Sequence, residues 1–161
     1  MQRSVSLTIF SLITLLTPPS WAGHAFSLYD TPRYPADFSH FEYHNPNAIK
    51  GGEIYLANPG AATSFDKFNP FSMKGVAAAG LSNLMFESLA IGSADEVATM
   101  YGLLAEDMTL APDRMAMTFR LHPKARFNNG DAVTANDVRY SFETLLAKGA
   151  PQFKMMFADV K

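Results

Sequence analysis

The chain has 161 residues, of which 48% are hydrophobic and 17% charged, the composition of an ordinary globular protein. It has 13 Lys and Arg residues and 15 Asp and Glu residues, which gives a net charge of −2, and the basic residues form no stripe along the sequence. We therefore expect no nucleic-acid partner, because phosphate binding needs clustered Lys and Arg. The absence of cysteine from this sequence excludes a disulfide framework, and burial alone must hold the fold together.

The N-terminus has the layout of a secretory signal peptide. Arg3 is followed by a 12-residue uncharged apolar run at residues 5–16 and then by two prolines. Small residues flank two cleavage positions, after Ala22 and after Ala25, as an A-x-A-like signal requires. The run is shorter than the roughly 20 apolar residues that cross a membrane. We therefore predict that residues 1–25 direct export to a periplasm, with a buried N-terminal helix as the alternative.

Residues 26–50 are rich in prolines and aromatic residues. The prolines at positions 32, 35 and 46 forbid a continuous helix or a central strand. A disordered tail would not carry so many aromatic side chains together. We expect an irregular arm whose aromatics pack on a larger body; these side chains are Phe26, Tyr29, Tyr34, Phe38, Phe41 and Tyr43.

A strand and a helix are predicted in the middle of the chain. The strand covers residues 53–57 and is closed by an Asn-Pro-Gly turn signal. The helix covers residues 76–89, although Gly80 weakens it by about 1 kcal/mol relative to Ala. It is predicted because side chains near one face recur at helical spacing, namely Leu81, Leu84, Met85, Ser88 and Leu89.

A hairpin follows. Strands at residues 107–111 and 115–121 flank the turn sequence Pro-Asp-Arg. In the second strand apolar and polar side chains alternate, which is typical of a half-buried antiparallel strand.

The stretch 119–146 continues with a turn and a capped helix. Asn129-Gly130 predicts a tight turn. Thr134 and Asp137 form a capping box at the start of the helix, and Gly149, after a lysine, is expected to end it as a C′ glycine. The apolar stripe of this helix consists of Val138, Phe142, Leu145 and Leu146. Folding explains every part of this stretch, and nothing in it demands a ligand.

No catalytic signature occurs in the sequence, which has no nucleophile elbow, no phosphate-binding loop and no dinucleotide-binding glycine motif. His122, between a strand and a proline, is interpreted as a solvated turn residue. A metal site is suggested only by His40, Glu42 and His44, where the acid stands in the wrong place for a zinc-protease motif. We therefore expect neither an enzyme nor a cofactor, and keep a secreted metal-dependent hydrolase as an alternative.

The loop at residues 60–75 is the more suggestive region. It follows a predicted strand, precedes a predicted helix, and mixes three phenylalanines, Phe71 among them, with Asn69 and other polar residues. Ligands of open α/β sheets lie in crevices at the ends of strands, and concave sites combine apolar walls with a few polar groups. The alternative is that the phenylalanines only pack the loop onto the sheet.

Several short motifs together resemble one protein family. The segment 118–142 contains TFRLH at 118–122, ARF at 125–127, NGD at 129–131, VTANDV at 133–138 and YSF at 140–142; upstream lie FESL at 86–89 and LAE at 104–106. This pattern resembles the signature segment of the family 5 extracellular solute-binding proteins, the dipeptide- and oligopeptide-binding receptors of bacterial ABC importers. The arm, with FSHFEY at 38–43, NP at 45–46 and KGG at 50–52, is similar to the subgroup of peptide and microcin C importers.

The resemblance implies an α/β chain that forms the N-terminal, incomplete part of a two-lobed periplasmic-binding-protein-like fold of the peptide-binding type II. Residues 26–85 would be the arm and the start of the first lobe, and residues 86–161 a segment of an accessory domain. The implied function is a periplasmic substrate-binding component that serves an inner-membrane ABC permease and ATPase complex.

The resemblance also implies a ligand and a site. The ligand would be an oligopeptide or a peptide-like molecule such as a siderophore or peptide antibiotic, held through main-chain hydrogen bonds. One cleft wall in the family lies just before the first helix, which corresponds here to Lys74, Gly75, Val76 and Ala77. Many relatives carry an acid near Lys74, so the charge preference of this pocket departs from theirs.

Family members are several times longer than 161 residues, with a second lobe and a hinge. The resemblance therefore implies an N-terminal piece, from a truncated gene, a frameshift or a partial record. A single cleft wall leaves most of the ligand surface exposed to solvent, so residues 26–161 alone would not enclose a peptide. A non-functional remnant is a further alternative.

Overall fold

The computed structural model describes residues 21–53, 55 and 65–160. Most of the predicted signal peptide and most of the strand predicted at 53–57 lie outside this part, as do residues 60–64 of the suggestive loop. Six strands and three helices occur in the described part, which mixes the two classes as predicted: β1 (Trp21–Gly23), β2 (Ala25–Ser27), α1 (Leu81–Leu84), β3 (Ala90–Gly92), β4 (Thr99–Gly102), β5 (Ala105–Leu110), β6 (Met117–Leu121), α2 (Ala135–Lys148) and α3 (Pro151–Met156).

The strands form two antiparallel sheets of three strands each. One has the order β1-β5-β6, and the other has the order β2-β4-β3. His24 is the single residue between β1 and β2, so the N-terminal segment passes directly from an edge of the first sheet to an edge of the second. The chain passes between the sheets a second time after β4, through Leu103 and Leu104.

An aromatic core lies where the arm meets β4. Tyr101 is completely buried, and Tyr34 and Phe41 of the arm are buried against it, with Phe38 partly buried beside them. The rings of Tyr34 and Phe41 meet that of Tyr101 edge-on at centroid distances of 5.6 and 5.4 Å, a favourable arrangement for aromatic pairs. The expectation of an irregular arm whose aromatics pack on a larger body is confirmed for Tyr34, Phe38 and Phe41, whereas Tyr29 and Tyr43 are exposed and Phe26 lies in β2.

The predicted hairpin is confirmed with shifted bounds: the first strand begins two residues earlier than predicted, at Ala105, and the second begins two residues later, at Met117. Strands β5 and β6 pair antiparallel, with Met108 opposite Phe119, and a bulge lies between Ala105 and Asp107. At the turn the Arg114 N–H donates to the Ala111 carbonyl at 2.8 Å, and Arg114 has a φ of 61°.

The capping box of α2 is confirmed. The Asp137 N–H donates to Oγ1 of Thr134, and the Thr134 N–H donates to the Asp137 carboxylate at 2.8 Å. The stripe residues of this helix are half-buried, and one of them, Phe142, packs edge-on against Phe157 beyond α3 at 5.2 Å.

Gly149 ends α2, but not as predicted. Its φ is −72°, so the residue is not in the left-handed conformation of a C′ glycine. A Cβ atom at this position would instead lie 2.4 Å from the Leu145 carbonyl oxygen. Close backbone approach therefore requires the glycine here.

The helix predicted over residues 76–89 is wrong for most of its length, because α1 covers only Leu81–Leu84. Gly80, with a φ of 80°, precedes α1. At the other end the Leu89 carbonyl accepts hydrogen bonds from the N–H groups of Leu103 and Ala105, at 2.9 and 3.0 Å. These long-range bonds hold the chain against the connection between β4 and β5, and tertiary pairing overrides the local helical periodicity.

In the ranges 21–53, 55 and 65–160, no helix combines the length and the apolar character needed to cross a membrane.

Candidate functional site

The described part of the suggestive region, residues 65–75, continues to residue 79 as one loop, which is closed at its neck by Asp66. The Asp66 N–H donates to the Val76 carbonyl at 3.0 Å, and the Val76 N–H donates to Oδ1 of Asp66 at 2.7 Å. Lys67 and Ala77 form a parallel bridge beside this contact. Gly75 has a φ of 83°, and a Cβ there would lie 2.4 Å from Asp66 Oδ1. The neck therefore requires glycine at position 75 for both conformation and space.

Polar side chains set the shape of the loop between the two sides of this neck. Nζ of Lys67 donates to the Ser72 carbonyl at 2.5 Å, and the Phe71 N–H donates to Oδ1 of Asn69 at 2.9 Å. A short polar side chain that accepts from the backbone two residues ahead is a common way to hold a turn. Asn69, which the sequence suggested as a binding residue, is exposed and has this structural role.

Phe71 anchors the loop to the C-terminal helices. Its ring is half-buried and meets the rings of Phe86 and Phe153 edge-on, at 4.9 and 6.1 Å. The Ala150 N–H, at the start of α3, donates to the Phe71 carbonyl at 3.1 Å. This packing is what the alternative interpretation of the phenylalanines expects for Phe71.

The family-implied wall residues lie together on the outer side of the neck. Lys74, Gly75 and Val76 are exposed, and Ala77 is half-buried next to the bridge. Lys74 forms no ion pair with another residue of the described part. The structure thus presents a short, exposed backbone segment with a cation at one end. Contact between a ligand and these residues stays a prediction.

A second concave feature, which the sequence did not suggest, lies beside the turn after β6. It is an open groove of about 400 Å³ lined by Glu87, Leu103, Leu104, His122, Lys124, Ala125 and Arg126. His122 is half-buried, its N–H donates to the Leu104 carbonyl, and its Nδ1 accepts from the Lys124 N–H at 3.0 Å. The basic residues of the sequence HPKAR were the available signal for this groove, and they line the side formed by the turn. The other side is formed by residues that are distant in sequence, so the groove could not be recognised from the turn alone.

The residues of the alternative metal site have other contacts. The segment lies in turns, Glu42 forms an ion pair with Arg33, and Nδ1 of His40 lies 2.8 Å from Oγ of Ser39. The ring of His44 packs on that of Tyr43 at 4.7 Å. Within the described part of the chain, no three His, Cys, Asp or Glu residues are grouped so that they could hold a metal ion.

The side chains whose pKa values are shifted stabilise the fold. Burial, reinforced by the hydrogen bond to Glu96, raises the pKa of Tyr101 to about 12. Hydrogen bonds from the hydroxyls of Ser93 and then Tyr34 lower the pKa of Asp95. Both effects arise where the arm meets β4, and they are consistent with a structural role for this polar network.

Comparison with known proteins places the chain among binding proteins. Residues 99–161 match the family model described as bacterial extracellular solute-binding proteins, family 5 Middle. The chain is 41% identical over 137 residues to the peptidoglycan-binding protein YepA of Agrobacterium fabrum. The aligned region covers 81% of this chain and 22% of YepA. It is 37% identical over 135 residues to the uncharacterized protein YejA of Escherichia coli, with coverages of 84% and 22%.

A third relative is the probable peptide-binding protein YejA of Agrobacterium fabrum, which is 40% identical over 111 residues. That match covers 69% of this chain and 17% of the relative. The chain therefore spans about a fifth of the length of the curated relatives it matches. The signature motifs at 118–142 fall inside the matched range 99–161.

Proposed function

Because this chain belongs to the family 5 bacterial extracellular solute-binding proteins, we propose that it is part of the substrate-binding component of an ABC importer for oligopeptides. The observation that carries this proposal is the family match over residues 99–161, together with relatives named for peptidoglycan and peptide binding. The protein would be exported by the signal peptide at residues 1–25 and would deliver its ligand to an inner-membrane permease and ATPase.

The proposed fold is the two-lobed receptor that closes on its ligand, with the 65–79 loop contributing to one wall of the cleft. A ligand enclosed between two walls loses most of its water-exposed surface, which a single wall does not achieve. The exposed segment at Lys74 and Gly75 suits an extended peptide, whose main chain offers donors and acceptors at regular spacing. The next residues of the wall, Val76 and Ala77, already pair with Asp66 and Lys67 and would support this segment from behind. Main-chain recognition of this kind gives affinity with broad side-chain tolerance.

Lys74 gives the proposed site a charge preference. Its exposed ammonium group lies at the end of the wall segment, so it would attract a carboxylate of the ligand. Acidic oligopeptides and the peptide portions of peptidoglycan both carry such carboxylates, in agreement with the names of two relatives. We expect the ligand to be a peptide with a free carboxylate near the position of Lys74.

The test is calorimetric titration of the full-length receptor that contains this segment, purified from periplasmic extract, with two ligand pools, because residues 26–161 alone are not expected to enclose a peptide. One pool contains mixed oligopeptides, and the other contains soluble peptidoglycan fragments. Binding from either pool supports the proposal and identifies the source of the peptide. Failure of both pools to bind at millimolar concentration contradicts the function proposed here.

A matched pair of variants tests the role of Lys74. Lys74→Glu should weaken the binding of acidic ligands several-fold, because an exposed ion pair contributes about 0.2–1 kcal/mol and the reversed charge adds repulsion. Lys154→Glu makes the same change at an exposed lysine of α3 and should leave the affinity unchanged. Equal effects of the two variants would remove Lys74 from the site.

Transport is tested in cells that lack the gene. Uptake of the labelled peptide identified by calorimetry should fall to background in these cells and return when the gene is supplied again. Normal uptake in the deleted strain would show that this protein does not feed the importer for that peptide.

A further inference from the structure

The sequence offers two equivalent positions for removal of the signal peptide. Ser20-Trp21-Ala22 and Gly23-His24-Ala25 both place small residues one and three positions before the cut, as the cleavage signal requires. The two mature chains differ only in whether they retain Gly23, His24 and Ala25. The surroundings of these three residues therefore distinguish the two positions.

His24 is built into the fold through both its backbone and its ring. Its carbonyl accepts a hydrogen bond from the Gly102 N–H at 2.8 Å, and its Nε2 lies 2.8 Å from the Tyr34 carbonyl oxygen, to which an Nε2–H donates. The ring lies against those of Tyr101 and Phe38, at centroid distances of 5.9 and 6.5 Å. His24 thus joins the arm to β4 at the edge of the aromatic core.

Ala25 continues this attachment. It is half-buried, packs against the aromatic core and stands opposite Tyr101 in the β2–β4 register. Cleavage after Ala25 would remove these contacts and place a charged α-amino group on Phe26, within the pairing of β2 with Met100 of β4. A charge beside a buried core is unfavourable unless it is hydrated or paired.

Cleavage after Ala22 falls in a different environment. It would remove the pairs Trp21↔Leu110 and Ala22↔Thr109 at the outer edge of the first sheet, and it would leave Gly23 opposite Met108. Gly23 is half-buried, as Phe26 is, but its new ammonium group would lie on the edge strand β1 and outside the aromatic core. All contacts of His24 and Ala25 with the core would remain.

We propose that the signal peptide is removed after Ala22, so that the mature protein begins at Gly23 and retains His24 as an anchor of the arm. This inference rests on the proposed export, since a protein that is not exported is not processed. It assigns a modification site within β1, between Ala22 and Gly23, and leaves β2 intact in the mature protein.

The test is N-terminal sequencing and intact-mass measurement of the protein isolated from the periplasm. A first residue of Gly23 is expected. A first residue of Phe26, with a mass lower by that of the tripeptide Gly-His-Ala, would overturn the assignment and leave export standing. An unprocessed chain that begins at Met1 in the cytoplasm would overturn export, and the cleavage assignment with it.

Two matched variants test the position without depending on folding. Ser20→Gln and Gly23→Gln each place the same bulky side chain three residues before one of the two cuts. In a pulse-chase experiment with N-terminal sequencing, Ser20→Gln should accumulate precursor or move the cut to the position after Ala25, whereas Gly23→Gln should be processed at the normal rate with the cut still after Ala22. A side chain is tolerated at position 23, where a Cβ would come no closer than 3.8 Å to its nearest neighbour. The opposite pattern of processing would place the cut after Ala25.

Discussion

The hydroxyl of Tyr101 connects the buried core to the arm, and its removal tests how the arm is held. It accepts a hydrogen bond from the Tyr34 N–H at 3.1 Å and donates to Oε2 of Glu96 at 2.6 Å. Tyr101→Phe deletes both bonds and keeps the ring, which is completely buried. The aromatic contacts should therefore survive, so the change isolates the polar term.

The expected loss in the free energy of unfolding is about 2 kcal/mol. The largest part is the buried N–H of Tyr34, because a donor left without a partner costs about 1–3 kcal/mol. The lost bond to Glu96 adds less, because this half-buried carboxylate can be hydrated in its place. With a urea dependence of about 1–3 kcal/mol/M for a small protein, the unfolding midpoint should fall by roughly 1 M.

Urea unfolding followed by circular dichroism measures this loss. Tyr140→Phe is the matched control, since it removes the same hydroxyl from a side chain that is 70% exposed and should change stability by less than about 0.5 kcal/mol. If Tyr101→Phe also stays within about 0.5 kcal/mol of the unaltered protein, the argument from the unsatisfied Tyr34 donor is refuted.

The structure supports four further predictions. Because the folded pKa of Tyr101 is about 12 and the ordinary value is 10.0, stability present below pH 10 should decline as the pH rises from 10 to 12, and the urea midpoint should fall less in Tyr101→Phe over that range. Thr134→Ala should cost about 1 kcal/mol in urea unfolding, whereas Thr134→Ser should retain the cap. The hydrogen bonds from Thr134 lower the folded pKa of Asp137 below its ordinary value of 3.8. The contribution of the Asp137 carboxylate to stability should therefore be present above pH 3.8 and be lost in acid titration as the pH falls through the folded pKa. Gly149→Ala should lower the unfolding free energy by about 1–3 kcal/mol, because its Cβ would lie 2.4 Å from a backbone oxygen, whereas Gly92→Ala, which meets only the flexible Met100 side chain at 3.6 Å, should cost less.

The stretch at 119–146 was predictable because its determinants are close in sequence. The capping box needs only Thr134 and Asp137, three residues apart, and the Asn129-Gly130 turn needs only a residue that accepts a φ of 94°. These local rules also carried the resemblance to the family, and residues 99–161 match it. The hairpin of β5 and β6 was likewise predictable from alternation and a short turn.

The helix predicted at 76–89 shows where local rules fail. Its periodicity indicated an apolar face, but Leu84 and Met85 are 79% and 69% exposed, and the helix ends at Leu84. The backbone after it bonds to residues 103 and 105, a contact that no local pattern encodes. Long-range pairing satisfied backbone groups that a continued helix would otherwise have satisfied internally.

The candidate site was predictable in part for the same reason. The sequence and the family resemblance pointed to the 65–79 loop, but not to the contact of Asp66 with Val76 that closes it. Phe71 and Asn69 were suggested as binding residues by their chemical type, and the structure gives the first a packing contact and the second a turn-holding role. Chemical type indicates what a residue can do, whereas its neighbours in space determine what it does.

The sequence by itself determined the elements that depend on neighbours along the chain: the capped helix, the tight turn, the hairpin and a predicted signal peptide with two equivalent cleavage positions. Only the tertiary structure bears on the choice between those positions, because it brings His24 against the distant Tyr101 and the carbonyl of Tyr34. The small residues that a cleavage site requires can be recognised within one short segment of sequence. Whether the following residues belong to the fold depends on the free energy of contacts made at long range.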